Sequence, residues 1–205
     1  MSKNILYLGS KSIMRQRLLD LSGITYCVLE QTSDECDIDV TQSFTDYVKA
    51  IAKQKMAHVV IPQDISKDAP IFVLTADTLM RLQRSQTILG KPKDKDDARR
   101  MLTLLRTEPI ELVTACCLAE KKWDGTAWQT EAEQTWATPA ILEFHVEDDE
   151  MDEYFAKMPH ALAACGAGVI EAFGLNFLKR IDGSFAAVLG LPLFELRGEL
   201  KKIGF

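Results

Sequence analysis

The sequence predicts an α/β fold with a mixed central sheet flanked by helices. Short apolar runs of strand length alternate with segments of helical periodicity from the first residues onward, and three of these runs break off into small and polar residues. The three are Leu8-Gly9-Ser10-Lys11-Ser12 with Arg15, Thr75-Ala76-Asp77-Thr78, and Leu89-Gly90-Lys91-Pro92. A chain of 205 residues suits one large domain or two tightly joined lobes. At that size about 70% of the surface exposed by the unfolded chain can be buried, so no staple is needed. No repeat, low-complexity tract or linker divides it, and a single domain over residues 1–205 is expected.

Each element has its own signal. Ile5 to Leu8 reads as a buried strand, followed by a helix with Met14, Leu18 and Leu21 on one face and Gly23 as its stop. Tyr26 to Leu29 is a second strand, leading to Asp34-Glu35. Tyr47 to Val60 reads as a helix, and Ile71 to Thr75 as a strand that delivers Ala76-Asp77-Thr78 at its end. A helix follows from Asp94 to Leu105, with acids in its first turn and Arg106 at its close, as the helix dipole favours. Glu111 to Glu120 and Thr126 to Glu143 are longer strands, joined by an Asp124-Gly125 hairpin signal. Glu147 to Lys157 is expected as a helix, Leu175 to Ile181 as a strand, and Leu193 to Ile203 as the last helix.

The composition sets bounds on function. With a net charge of −6 the chain lacks a general nucleic-acid or anionic-membrane surface, so an anionic substrate needs a local basic pocket. Cys27, Cys36, Cys116, Cys117 and Cys165 form no CxxC pair, which fits reduced thiols. Met1-Ser2-Lys3-Asn4 leads straight into a strand, so no signal peptide is expected and the protein reads as cytoplasmic. His58, His145 and His160 lack zinc-ligand spacing, and no P-loop sequence occurs.

The three runs supply cations, a carboxylate and exposed backbone. A strand turning into a helix presents unpaired N–H groups to an anion, and Ser10, Ser12 and Arg15 would complete a phosphate cradle there. Taken alone, they read equally as a serine N-cap and a solvated arginine. Asp77, after a fully apolar run, is suited to holding Mg²⁺ or taking a proton from water, or else to capping a turn. Lys91, on a turn between Gly90 and Pro92, can touch a phosphate as a point charge or be an ordinary surface lysine. Asp34 and Glu35 suit a hard cation or a solvated loop. Lys55 shares a helix face with Ile51 and His58, and either points inward or snorkels.

In order and spacing these runs resemble the Maf family of nucleotide pyrophosphatases over nearly the whole chain. The family's Leu-Ala-Ser-x-Ser-Pro-Arg-Arg type opening is similar to Leu8 through Arg15, and its acidic pair to Asp34-Glu35. Its helix lysine matches Lys55, Ala-Asp-Thr matches Ala76-Asp77-Thr78, Gly-Lys-Pro matches Gly90-Lys91-Pro92, and a late Val-Gly-Leu-Pro-Leu run resembles Leu189 to Leu193. The resemblance implies hydrolysis of a nucleoside triphosphate to monophosphate and pyrophosphate in a house-cleaning role. It assigns Asp77 as the base, Glu35 and Asp77 to Mg²⁺ or Mn²⁺, and Arg15, Lys55 and Lys91 to the phosphates. It further implies two lobes around a deep cleft, as in inosine-triphosphatase-like folds, and a possible homodimer.

The departures are specific. Ile13-Met14 stands where the family has Pro-Arg, so one cation is lost. The run that often reads Asp-Lys-Ala-Gly-Ala-Tyr-Gly-Ile-Gln-Gly is here Ala163 through Ala172, with Ala164 for the lysine and Glu171 for the glutamine. Ile110 and Ala187 replace a family His and Asn. Glu171 resembles the 7-methyl-GTP branch while Thr78 resembles the dTTP/UTP branch, so Met14, Thr78 and Glu171 form a hybrid specificity set. An acceptor-only carboxylate at Glu171 predicts guanine-type triphosphates over dTTP and UTP, unless it faces solvent or pairs with Lys179 or Arg180. The rival reading, motivated by Met14, is a nucleotide-binding or regulatory relative with weakened catalysis.

Overall fold

The structure, a computed structural model, describes residues 4–33 and 38–205. In chain order it contains β1 (Leu6–Leu8), α1 (Ile13–Leu21), β2 (Tyr26–Val28), β3 (Glu30–Gln31), α2 (Phe44–Ala57), β4 (Val59–Val60), β5 (Ile71–Leu82) and β6 (Ile88–Leu89). Then come α3 (Lys95–Leu105), β7 (Ile110–Trp123), β8 (Trp128–Phe144), α4 (Met151–Lys157), 3₁₀ turns at Pro159–Ala163, Cys165–Ala167 and Ala172–Phe177, β9 (Leu178–Gly183), α5 (Phe185–Val188) and α6 (Leu193–Lys202). The main sheet runs β2-β1-β5-β7-β8-β9, with β6 also on β5; β3 and β4 make a separate pair. β1 is parallel to β2 and β5, whereas β8 and β9 are antiparallel, so the sheet is mixed and helices flank it, as the sequence predicts.

The chain divides into two compact units. One comprises Met1–Asp77, Thr114–Thr138 and Gly190–Phe205; the other comprises Thr78–Val113 and Pro139–Leu189. Strands β5, β7 and β8 each pass from one into the other. The first has its own core around Leu6, Leu8, Val48, Ile51 and Leu74, and the second around Leu102, Leu105, Ile110, Leu142 and Tyr154.

Several expected boundaries move for local physical reasons. α2 begins at Phe44, before Tyr47, because Ser43 Oγ caps the Asp46 N–H at 3.2 Å. It ends at Ala57, before Val60, because the β-branched pair Val59–Val60 leaves to pair with Glu30–Gln31. β5 does not stop at Thr75 but runs to Leu82, since Met80 and Leu82 are buried in the second core. Asp77 therefore lies in mid-strand and not at a strand end. α4 begins at Met151, because Glu147 to Glu150 form a turn in which the Glu147 N–H donates to Glu150 Oε2 at 3.0 Å. The Asp148 carboxylate meets Arg106 at 2.8 Å instead of opening the helix. The expected Leu175–Ile181 strand is shifted to β9, with a 3₁₀ turn before it. In α1 the buried residues are Leu18 and Leu19, whereas Leu21 is 84% exposed.

The Asp124 hairpin forms as expected: Asp124 Oδ1 accepts from the N–H groups of Thr126 and Ala127 at 2.7 and 2.8 Å. Cys116 and Cys117 are core residues of β7, and burial pushes their thiols up to about 12 and about 11. No helix among the described residues is long and apolar enough to cross a membrane.

Candidate active site

In the first unit, β1 pairs with β5 as far as Leu8 opposite Leu74, and the Gly9 N–H donates to Leu74 O at 2.8 Å. The loop that follows lies so close to β5 that a Cβ on Gly9 would come within 2.8 Å of the Thr75 and Val59 methyls. Further along β5, β6 joins only at Met80. Residues 75–79 thus have neither β1 nor β6 alongside, and Asp77 sits in that stretch.

The loop folds on itself through its own hydrogen bonds. Ser12 Oγ caps α1 by accepting the Arg15 N–H at 3.4 Å, so the bland N-cap reading of Ser12 holds. Arg15 is half-buried and held at two points: its Nε donates to Gly190 O at 2.8 Å and its Nη1 to Ser10 Oγ at 3.0 Å. Ser10 Oγ also accepts the Ser12 N–H at 3.3 Å, which leaves its own O–H proton to donate. Gly190 has φ 105°, a backbone conformation that favours glycine, and this turn aims its carbonyl at Arg15. Met14, next to Arg15, is half-buried and brings no charge.

Asp77 is 8% exposed. Its Oδ1 accepts from Lys55 Nζ at 2.5 Å, which settles the orientation of Lys55: it points inward from α2. Thr75, two residues earlier on the same strand face, donates from Oγ1 to Ala52 O at 2.7 Å and so fixes α2 against β5. Asp77 Oδ2 is buried with no hydrogen-bond partner. A buried carboxylate oxygen left so is costly, and a water, a cation or a substrate proton would satisfy it. Asp34 and Glu35 lie outside the described residues, and among those described no group of three metal-ligating side chains occurs.

The second unit holds Thr78, Lys91 and Glu171. Thr78 follows Asp77 on β5 and is half-buried. Lys91 is exposed, on a turn held by two contacts: Cys165 Sγ donates to Leu89 O at 2.6 Å, and the Gly166 N–H donates to Gly90 O at 2.8 Å. Glu171 lies 3.6 Å from His160 Nε2. Lys179 and Arg180 instead meet Glu143, at 2.8 and 3.8 Å, which corrects the expected alternative partners of Glu171. Sequence reasoning missed the Gly190 carbonyl, the Cys165 tether and His160. Only the late Gly-Leu-Pro run gave any signal for one of them.

Fold and site together define an α/β protein with a serine- and arginine-bearing loop after β1 and, in the same unit, a buried lysine–aspartate pair. Residues 5–203 match the family described as Maf-like protein, and the chain belongs to that family. It is 33% identical to a dTTP/UTP pyrophosphatase of Anaeromyxobacter dehalogenans, over 98% of this chain and 94% of the relative. It is 32% identical to one of Geotalea uraniireducens, over 99% and 97%, and 28% identical to one of Acholeplasma laidlawii, over 96% and 95%.

Proposed function

We propose that the whole chain acts as one functional domain that hydrolyses nucleoside triphosphates to the monophosphate and pyrophosphate, with dTTP and UTP as leading substrates. The observation that carries this is Asp77: buried, with one oxygen on Lys55 and the other without a partner. Water attacks the α-phosphorus and gives its proton to Asp77 Oδ2. The bond from that phosphorus to the bridging oxygen breaks, and pyrophosphate leaves with the electron pair. Arg15, Lys55 and the Ser10 hydroxyl offset the charge that grows on the phosphoryl oxygens. The family resemblance assigns Lys91 to the same phosphates and Thr78 and Glu171 to the base.

Asp77 Oδ2 alternatively fits a divalent cation: with Glu35 it would hold Mg²⁺ or Mn²⁺, and it would then act as a ligand and not as the proton acceptor. Such an ion, when bound, would neutralise phosphate charge, and ions of this kind commonly take their remaining ligands from the substrate and water. Glu171 Oε1 lies 3.6 Å from His160 Nε2, and no guanine preference is assigned to that carboxylate. The names of the similar proteins favour dTTP and UTP.

Met14 favours a second reading, a nucleotide binder with weak turnover, since one lost cation commonly costs about 10²- to 10³-fold in rate. Pyrophosphate release from dTTP, UTP, GTP and 7-methyl-GTP with Mg²⁺ or Mn²⁺ separates the two. Turnover of dTTP and UTP supports the first reading. Tight calorimetric binding with no pyrophosphate from any triphosphate supports the second. A cytoplasmic homodimer belongs to the same proposal, to be tested by fractionation and by sedimentation.

A further inference from the structure

The segment between α4 and β9 has no regular helix or strand. Short 3₁₀ turns carry it, and two alanines strain it: Ala167 and Ala172 have φ of 58° and 50°, while Gly166, at 62°, takes a conformation open to glycine. For alanine that region costs about 1–2 kcal/mol per residue, so the surrounding contacts must hold it in place. Two contacts hold its inner side. The buried Tyr154 hydroxyl donates to Ala167 O at 2.7 Å and accepts from the Val169 N–H at 2.8 Å. Gly166 abuts Met80 so closely that a Cβ there would overlap its sulfur.

The outer side of the segment grips something else. Cys165 Sγ donates to Leu89 O at 2.6 Å, and the next residue's N–H donates to Gly90 O at 2.8 Å. Both acceptors immediately precede Lys91, which makes no ion pair or hydrogen bond among the described residues. A point-charge lysine on a turn is only as well placed as its backbone. Here that backbone is tied to a strained segment by a thiol and an amide.

We propose that Cys165 is a positioning residue: its thiol holds the Leu89 carbonyl, beside the Gly90 carbonyl held by the Gly166 N–H, so that Lys91 meets the substrate phosphates. This rests on the assignment of Lys91 to the phosphates made above. The thiol acts as a hydrogen-bond donor and undergoes no chemistry, so a serine can replace it and an alanine cannot.

The test compares Cys165→Ala and Cys165→Ser with wild type in three measurements: steady-state kinetics on dTTP, calorimetric affinity for a non-hydrolysable dTTP analogue, and amide exchange of Gly166. For Cys165→Ala, KM and the analogue Kd are expected to rise about fivefold to tenfold, the worth of one hydrogen bond, with kcat changed less than twofold and Gly166 exchanging faster. Cys165→Ser should restore all of these. An alanine variant whose KM and Kd stay within twofold of wild type overturns the proposal, whatever Gly166 does, and so does a serine variant no better than alanine. If wild type releases no pyrophosphate from any triphosphate, the hydrolase reading fails, while the analogue Kd still decides the role of Cys165.

Discussion

Lys55 holds Asp77 by one carboxylate oxygen only, and the second oxygen, buried, has no hydrogen-bond partner. Stability alone would favour satisfying both. The asymmetry leaves a buried acceptor with a cation fixed beside it: a neighbouring cation favours an ionised carboxylate, and the free oxygen is the one to which the proposed mechanism gives the proton.

Asp77→Asn is expected to lower kcat for dTTP by about 10²- to 10⁴-fold, because an amide cannot take the proton. Lys55→Met leaves the carboxylate buried and unpaired, and should destabilise the protein by about 3–5 kcal/mol in urea unfolding. Adding Asp77→Asn to Lys55→Met should recover part of that loss, since no stranded charge remains. A double variant less stable than Lys55→Met would show that Lys55 stabilises through other contacts.

Arg15→Lys tests the cradle. The guanidinium reaches Gly190 O through Nε and Ser10 Oγ through Nη1 at once, and a lysine head cannot span both. KM for dTTP should rise about tenfold, a loss of roughly one charge-assisted hydrogen bond. KM within twofold of wild type would reduce Arg15 to a strut between two loops.

How much of this was legible beforehand varies by the kind of interaction. The strand–helix alternation, the Asp124 hairpin and the α3 boundaries follow from local pattern and were read correctly. A helix period fixes a face but not what a long side chain meets there, so the inward aim of Lys55 is not legible in the sequence. An acid after an apolar run looks like a strand end, which is where the pattern places Asp77; Met80 and Leu82, buried in the second core, carry the strand on. The Gly190–Arg15 contact joins residues 175 positions apart, and no local pattern encodes such a partner. The role of Glu171 rests on resemblance, and the path of the 3₁₀ turns, which no local pattern encodes, brings His160 beside it.

The surface carboxylates predict an acid limit to stability. Asp97 is held below the usual carboxylate range by the Lys93 N–H and then by Arg100, Asp152 by Lys95 and Arg99, and Glu143 by Lys179. Each binds its proton more weakly folded than unfolded, so its stabilisation is fully present above the unfolded value of about 4 and is lost as pH falls through the lower folded value. Tm should hold from neutral pH down to about 5 as far as these groups are concerned and then decline below about 4. Salt should shrink the effect, because the pairs are exposed. In Asp152→Asn the acid-side decline should be shallower; an unchanged slope would remove Asp152 from the account.

Tyr154 gives the sharpest stability prediction. Its ring is fully buried among Phe144, Phe155 and Phe177, with edge-on centroid separations of 6.1, 5.5 and 5.5 Å. Burial pushes its phenol above the usual tyrosine value, so the hydroxyl stays protonated throughout the working range and can donate and accept together. Tyr154→Phe keeps the ring packing and removes only the oxygen that bridges Ala167 O and the Val169 N–H. Two buried backbone groups then lose their partner, at about 1–3 kcal/mol each when no water enters. For a chain of this size each kcal/mol is about 2–4 °C in Tm, so a drop of several degrees is expected. Because the lost bonds hold the left-handed Ala167, amide exchange of Val169 should quicken well before global unfolding. A Tyr154→Phe variant with unchanged Tm and an equally protected Val169 amide would mean that ring packing alone fixes the turn.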